Sequence, residues 1–201
     1  MERRHGRFGK RTVTVLVVVL GFLVGEASGS ATMIGGTEFN IEYWAGSGPK
    51  QAVLVIDFGA TGGECYSFGY RWDGDAKGFD MIEAIAEAGD LGYAATTFPG
   101  FGTYIDNFSY RSEAGNVDYW WQYFIGTPSA GSVAWTSASE GMSTRALADG
   151  SIDGWYNSFD PGVTPRVPEP ASALLLAAAT ALLRRRAACT ARAELCTEAM
   201  P

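Results

Sequence analysis

The chain has 201 residues, 47% of them hydrophobic and 13% aromatic, with 22 acidic against 15 basic side chains and a formal charge of −7. Its one histidine is His5, inside an N-terminal basic stretch. The remainder therefore cannot build a Ser-His-Asp or Cys-His mechanism, or a histidine-bearing zinc or iron site. Residues 31–166 hold six Lys or Arg and seventeen Asp or Glu, a net of −11, which argues against nucleic acid or anionic lipid as a partner.

Residues 1–31 have the pattern of a secretory signal. Arg3, Arg4, Arg7, Lys10 and Arg11 precede an apolar run from Val13 to Gly25, and small residues from Ala27 to Ala31 follow. Cleavage after Gly29 or Ala31 suits this order and implies the export machinery as a partner. Thirteen apolar residues make a helix of only ~20 Å against a hydrocarbon core of ~30 Å, although an uncleaved anchor is the alternative.

Residues 32–160 suit one exported domain, large enough for a core without staples. Cys65 is its only cysteine, which excludes a disulfide framework and suits a buried small hydrophobe. Phe39, Ile41 and Tyr43 alternate with polar residues and predict a strand. Ala52 to Phe58 is apolar except for Asp57, as in a strand covered on both faces. Tyr66, Phe68, Tyr70 and Trp72 recur at every second position, a half-buried strand rich in aromatics.

Asp73-Gly74-Asp75-Ala76-Lys77-Gly78 begins like a calcium loop, but Lys77 stands at its fifth position and Ala84 at its twelfth. An acidic turn leading into a helix accounts for it better. Asp80, three before Glu83, has capping-box spacing. Met81, Ile82, Ile85 and Ala86 form an apolar stripe and Gly89 is placed to stop it, so a helix is expected over 81–88. Further strands are expected at Tyr93–Phe98, Tyr104–Tyr110, Tyr119–Ile125, Val133–Thr136 and Ile152–Phe159. The order gives an α+β fold, a mainly antiparallel sheet with one packed helix.

Tyr119-Trp120-Trp121-Gln122-Tyr123-Phe124 is the strongest binding candidate. In a strand, Tyr119, Trp121 and Tyr123 face one way and Trp120, Gln122 and Phe124 the other. An exposed face would offer an aromatic platform for a sugar or a planar cofactor, with Trp155 or Trp72 beside it. Burial on both faces is the alternative. Seventeen acids leave room for a pair of glycosidase carboxylates, but no spacing selects one.

Residues 161–167 read as a linker. Val167-Pro168-Glu169-Pro170 then precedes an apolar run from Ala171 to Leu183, closed by Arg184-Arg185-Arg186; Ala187 to Pro201 follow. Cationic clusters stay on the cytoplasmic side, so arginines before the first apolar run and after the second place the segment between them outside. That topology predicts a C-terminal membrane helix in the run Ala171–Leu183, within a sorting tail of residues 168–186, and a membrane-tethered domain.

The Pro-Glu-Pro, apolar run and arginine cluster resemble the PEP-CTERM sorting signal, also called the ice-binding-protein C-terminal motif. The resemblance implies Val167, Pro168, Glu169, Pro170, Arg184, Arg185 and Arg186 as the signal and an exosortase-like transpeptidase as the partner that reads it. The destination it implies is the cell surface or extracellular matrix. Residues 187–201 extend past the arginines, where the family usually stops.

The middle is similar to the transcobalamin C-terminal-like domain through Asp80–Ile85, Phe101–Asp106, Trp121–Gly126, Leu147–Gly150 and Trp155. Ile125-Gly126 stands where that family has Asn-Gly. This resemblance implies a β-grasp-like domain and a corrinoid as a possible ligand. The resulting expectation is a non-enzymatic surface or matrix protein. Next in order come a module binding polysaccharide or a corrinoid through Trp120, Trp121, Tyr123, Trp155 or Trp72, and then a carboxylate-dependent glycosidase.

Overall fold

The computed structural model describes residues 30–59, 62–129 and 131–168. In chain order its elements are β1 (Ser30–Ile34), β2 (Thr37–Gly46), β3 (Lys50–Asp57), β4 (Cys65–Trp72), α1 (Gly78–Ala88), β5 (Gly92–Phe98), β6 (Gly102–Tyr110), β7 (Glu113–Ala114), β8 (Trp120–Ser129), β9 (Ser132–Ser137) and β10 (Ser151–Ser158). The unbroken apolar run of β3 requires cover on both faces, and it lies inside a seven-stranded sheet ordered β1-β2-β4-β3-β10-β8-β9. β5, β6 and β7 form a second, three-stranded antiparallel sheet.

One face of the large sheet is covered by α1 and the small sheet. Met81, Ile82 and Ile85 of the helix, with Ile105, Phe108 and Tyr110 of β6, close over Leu54, Ile56, Phe68, Trp121 and Trp155. The other face is covered by the sheet itself. It curls until Thr37 Oγ1 donates to the Ser132 carbonyl at 2.6 Å, joining the ends of β2 and β9. Ile34, Phe39, Ile41, Val53, Val55 and Ile152 fill the hollow, with Val133, Trp135 and Val167 against them.

The helix begins earlier than its stripe suggests. Lys77 is the N-cap and Asp80 the third helical residue, whose Oδ2 accepts the Lys77 backbone N–H at 2.8 Å. The first turn can start there because the Gly78 and Phe79 N–H groups donate to the Arg145 and Met142 carbonyls, both at 3.0 Å. Gly89 ends the helix for a reason of space. A Cβ there would lie 2.4 Å from the Tyr43 ring, whose hydroxyl donates to the Ile85 carbonyl at 3.0 Å and accepts from Leu91 N–H at 3.2 Å. That phenol takes the place of a left-handed cap.

Residues 161–167, expected as a linker, are bound to the domain. Pro165 is buried and comes within 3.1 Å of where a Cβ on Gly154 would stand. Asp57, wholly buried at the end of β3, accepts the Arg166 backbone N–H at 2.7 Å and its Nη2 at 2.7 Å. Nη2 also donates to the Gly63 carbonyl at 2.7 Å. The partly buried Cys65 thiol donates to the Arg166 carbonyl at 3.2 Å, and burial, then the Asp57 carboxylate, push its pKa well up. At the other end β1 starts at Ser30, so cleavage after Gly29 would leave its pairing with β2 whole, whereas cleavage after Ala31 would remove two paired residues.

Two expectations are corrected. Most strand pairs are antiparallel, as expected, but β2 runs parallel to β4 and β3 parallel to β10; in place of a compact β-grasp-like sheet the chain forms a curled, mixed, seven-stranded one, and the fold is α+β. The accompanying membrane helix is not found either. Among the described residues α1, of 11 residues, is the one helix, and no helix is long and apolar enough to cross a membrane. At ~1.5 Å per residue, α1 reaches about half of a ~30 Å hydrocarbon core. The tether through the tail, the membrane as a partner and the membrane-tethered location that rested on them are withdrawn. The runs Val13–Gly25 and Ala171–Leu183 lie outside the described residues, as does most of residues 1–31 and all of residues 187–201.

Candidate functional site: an aromatic cleft beside β8

Strand alternation sends the two adjacent tryptophans of β8 to opposite fates. Trp121 is 7% exposed, its indole N–H donating to Asn107 Oδ1 at 3.0 Å and its rings edge-on to Phe58 and Phe108. Trp120 is 64% exposed, as is Phe159. The β8–β10 register sets Trp120 opposite Ser158, which brings Phe159 against the indole, stacked at 5.1 Å and 21°. Three residues further along, Tyr123 and Trp155 are direct cross-strand partners and stack at 4.6 Å and 15°.

Trp120, Trp121, Gln122, Tyr123 and Trp155 form one side of a cleft of about 440 Å³. Thr103, Tyr104 and Ile105 of β6 and the segment Ser137–Met142, which starts at the last residue of β9, complete it. Thr103 N–H donates to Ser143 Oγ at 3.3 Å, linking the β5–β6 hairpin to that segment. The volume falls within the ~300–1,000 Å³ usual for small-molecule sites.

Behind the cleft wall lies a closed polar group. Asp153, 1% exposed, accepts from the Tyr123 hydroxyl and from Arg145 Nε, the latter at 3.0 Å. Burial raises the Asp153 pKa, against the opposing pull of the Tyr123 hydroxyl and Arg145. Burial and then the Asp153 charge push the Tyr123 phenol far up. Burial alone would lower Arg145; the attraction of Asp153 outweighs it, and its pKa rises. With Arg145 and Asp153 neutralising one another, Glu140 is the charged residue among those lining the cleft. Gln122 Nε2 donates to the Ser158 and Asp160 carbonyls at 3.2 and 3.0 Å, which leaves its Oε1 as an acceptor. Among the described residues the buried Trp155 Nε1 has no hydrogen-bond partner.

Four of the five aromatic residues singled out in the sequence (Trp120, Trp121, Tyr123 and Trp155) line this one cleft. Trp72 does not. It is buried in the helix-side core, stacked on Tyr70 at 5.2 Å. Phe159, Tyr104, Gln122 and Glu140 were not singled out as site residues, since only the strand pairing and the path of the chain after β9 bring them here. In the sorting motif, Val167 packs on the second core and Pro168 is partly buried; Glu169, Pro170, Arg184, Arg185 and Arg186 lie outside the described residues.

The acidic turn at Asp73 is closed by its own bonds. Asp73 Oδ1 accepts from Gly74 N–H at 2.8 Å, and the Lys50 ammonium donates to the Gly74 carbonyl. Among the described residues no group of three or more His, Cys, Asp or Glu is arranged to hold a metal ion. Trp121 and Trp155 are committed to the core, so the exposed rings lining the cleft are those of Trp120 and Tyr104. No family model, curated protein or solved structure matches this chain.

Proposed function

We propose that the domain is a non-enzymatic glycan-binding module that seats a sugar ring on Trp120. The carrying observation is an indole two-thirds exposed at the rim of a cleft and stacked against Phe159. Leaving so large an apolar ring in water is unfavourable. Fixing its orientation in advance spares a ligand that ordering cost. The aliphatic face of a pyranose suits such a ring, and the hydroxyls suit the polar groups around it.

The chemistry of the wall supports binding without turnover. Glycoside hydrolysis uses two carboxylates across the scissile bond. Glu140 lines the cleft, whereas Asp153 is buried and bound to Tyr123 and Arg145. The Pro168-Glu169-Pro170 motif, which begins two residues after the Arg166 contact with Asp57, supports assigning the chain to the PEP-CTERM class, with the folded module placed ahead of its sorting address.

Tryptophan fluorescence titrated with neutral gluco-, xylo- and N-acetylglucosamine oligosaccharides tests the reading. Saturable change in the wild type, abolished in Trp120→Ala with the fold intact by circular dichroism, is expected. Unchanged binding by Trp120→Ala, or no response to any of the three series, overturns it.

A further inference from the structure

The polar groups around the cleft restrict the ligand beyond its being a sugar, and the following rests on the glycan-binding reading. Glu140 has no hydrogen bond or ion pair among the described residues; the charges it senses are those of the Arg145–Asp153–Tyr123 group behind the wall. Arg145, which Glu140 also attracts, is held by Asp153 at 3.0 Å, so among the described residues no unpaired cation lines the cleft to balance Glu140. Gln122 has committed both amide hydrogens to the Ser158 and Asp160 carbonyls. Its Oε1 is therefore an acceptor beside the Trp120 platform. The cleft is rich in acceptors and negative, in a segment whose net charge over residues 31–166 is −11. Uronate, sulfated or phosphorylated glycans are disfavoured in such a field, and donors are favoured.

We infer that the cleft selects an amine-bearing sugar, a hexosamine with its 2-amino group free and protonated, stacked on Trp120 with its ammonium directed to Glu140. A neutral sugar stacks equally well but leaves the carboxylate unanswered. An anionic one meets repulsion. Because Glu140 is exposed, the pair gains what solvent-screened pairs gain, which sets the preference at about two- to fivefold rather than orders of magnitude.

The test compares tetramers of glucosamine, N-acetylglucosamine and glucose by tryptophan fluorescence on the whole chain, at mildly acidic pH that keeps the sugar amine protonated. The glucosamine tetramer should bind about two- to fivefold more tightly than the other two. Glu140→Gln should bring all three together, as should high salt, which screens the pair. Trp120→Ala should lose all three. Equal binding of the three tetramers by the wild type overturns the inference while leaving the glycan reading intact. A glucosamine preference that persists in Glu140→Gln, or glucosamine binding that survives Trp120→Ala, assigns the effect to the general acidity of the surface and also overturns it. No response to any tetramer overturns both.

Discussion

Replacing Arg166 with alanine tests whether residues 161–167 are part of the fold. Asp57 is wholly buried and receives bonds from Gly59 N–H at 2.8 Å and Arg166 N–H at 2.7 Å, besides those from the Arg166 guanidinium. The alanine variant keeps the two backbone donors and loses the guanidinium, along with its bond to the Gly63 carbonyl. Stranding a buried charge typically costs ~3–5 kcal/mol. The Arg166 side chain is 56% exposed, so water can reach part of the gap and the pair is already screened, which reduces the expected loss to about 2–3 kcal/mol. Asp57→Asn in the same background removes the stranded charge and should recover about 1–2 kcal/mol, a non-additivity expected of residues in direct contact. Urea unfolding followed by tryptophan fluorescence measures all four corners of the cycle. A loss below about 0.5 kcal/mol in Arg166→Ala, the usual range for a surface change, or strict additivity of the two substitutions would refute the reasoning.

Trp121→Ala should destabilise by about 3–5 kcal/mol, because a buried indole packed against Phe58 and Phe108 and bonded to Asn107 is removed. An equally stable variant in the same urea assay would mean that Trp121 is not core. Tyr43 provides a pH prediction. Burial pushes its phenol from 10.0 up to about 12, so its stabilisation is complete below the unfolded value near pH 10 and is lost as pH rises through about 12. Tyr66 and Tyr123 are raised too, again chiefly by burial, and unfolding should coincide with the tyrosinate absorbance change. Tyr43→Phe, which leaves Leu91 N–H and the Ile85 carbonyl without this partner, should cost ~1–3 kcal/mol at neutral pH and flatten the alkaline decline. An alkaline profile parallel to the wild type would contradict this.

Local pattern revealed most strands because period-two aromatics and β-branched residues report burial directly. β4, with Tyr66, Phe68, Tyr70 and Trp72, and β3, covered on both faces, stand where alternation and the apolar run place them. Pairing partners are not encoded that way. Nothing near Ser151 indicates that β10 will enter between β3 and β8, and the parallel pairs follow from that long-range choice. The helix start was hidden because Gly78 and Phe79 satisfy their N–H groups with carbonyls more than sixty residues away in sequence. β7, two residues long, is too short to show a period. At the cleft, the adjacent tryptophans were visible but which of them would be exposed was not, since that depends on what covers each face. The Arg166 contact was missed because Gly162, Pro165 and Pro168 read as linker punctuation, and the Asp57 that binds it lies 109 positions earlier.

β10 is the last strand of the large sheet to leave the ribosome, and it belongs inside the sheet rather than at an edge. Until about residue 158 has emerged, β3 and β8 each present an open backbone edge, and the nascent chain holds two partial sheets that cannot join. Such edges are templates for pairing with another molecule, and contacts spanning some hundred residues form slowly. Synthesis of this domain therefore carries a window of vulnerability to self-association that closes only when its final strand slots between the waiting halves.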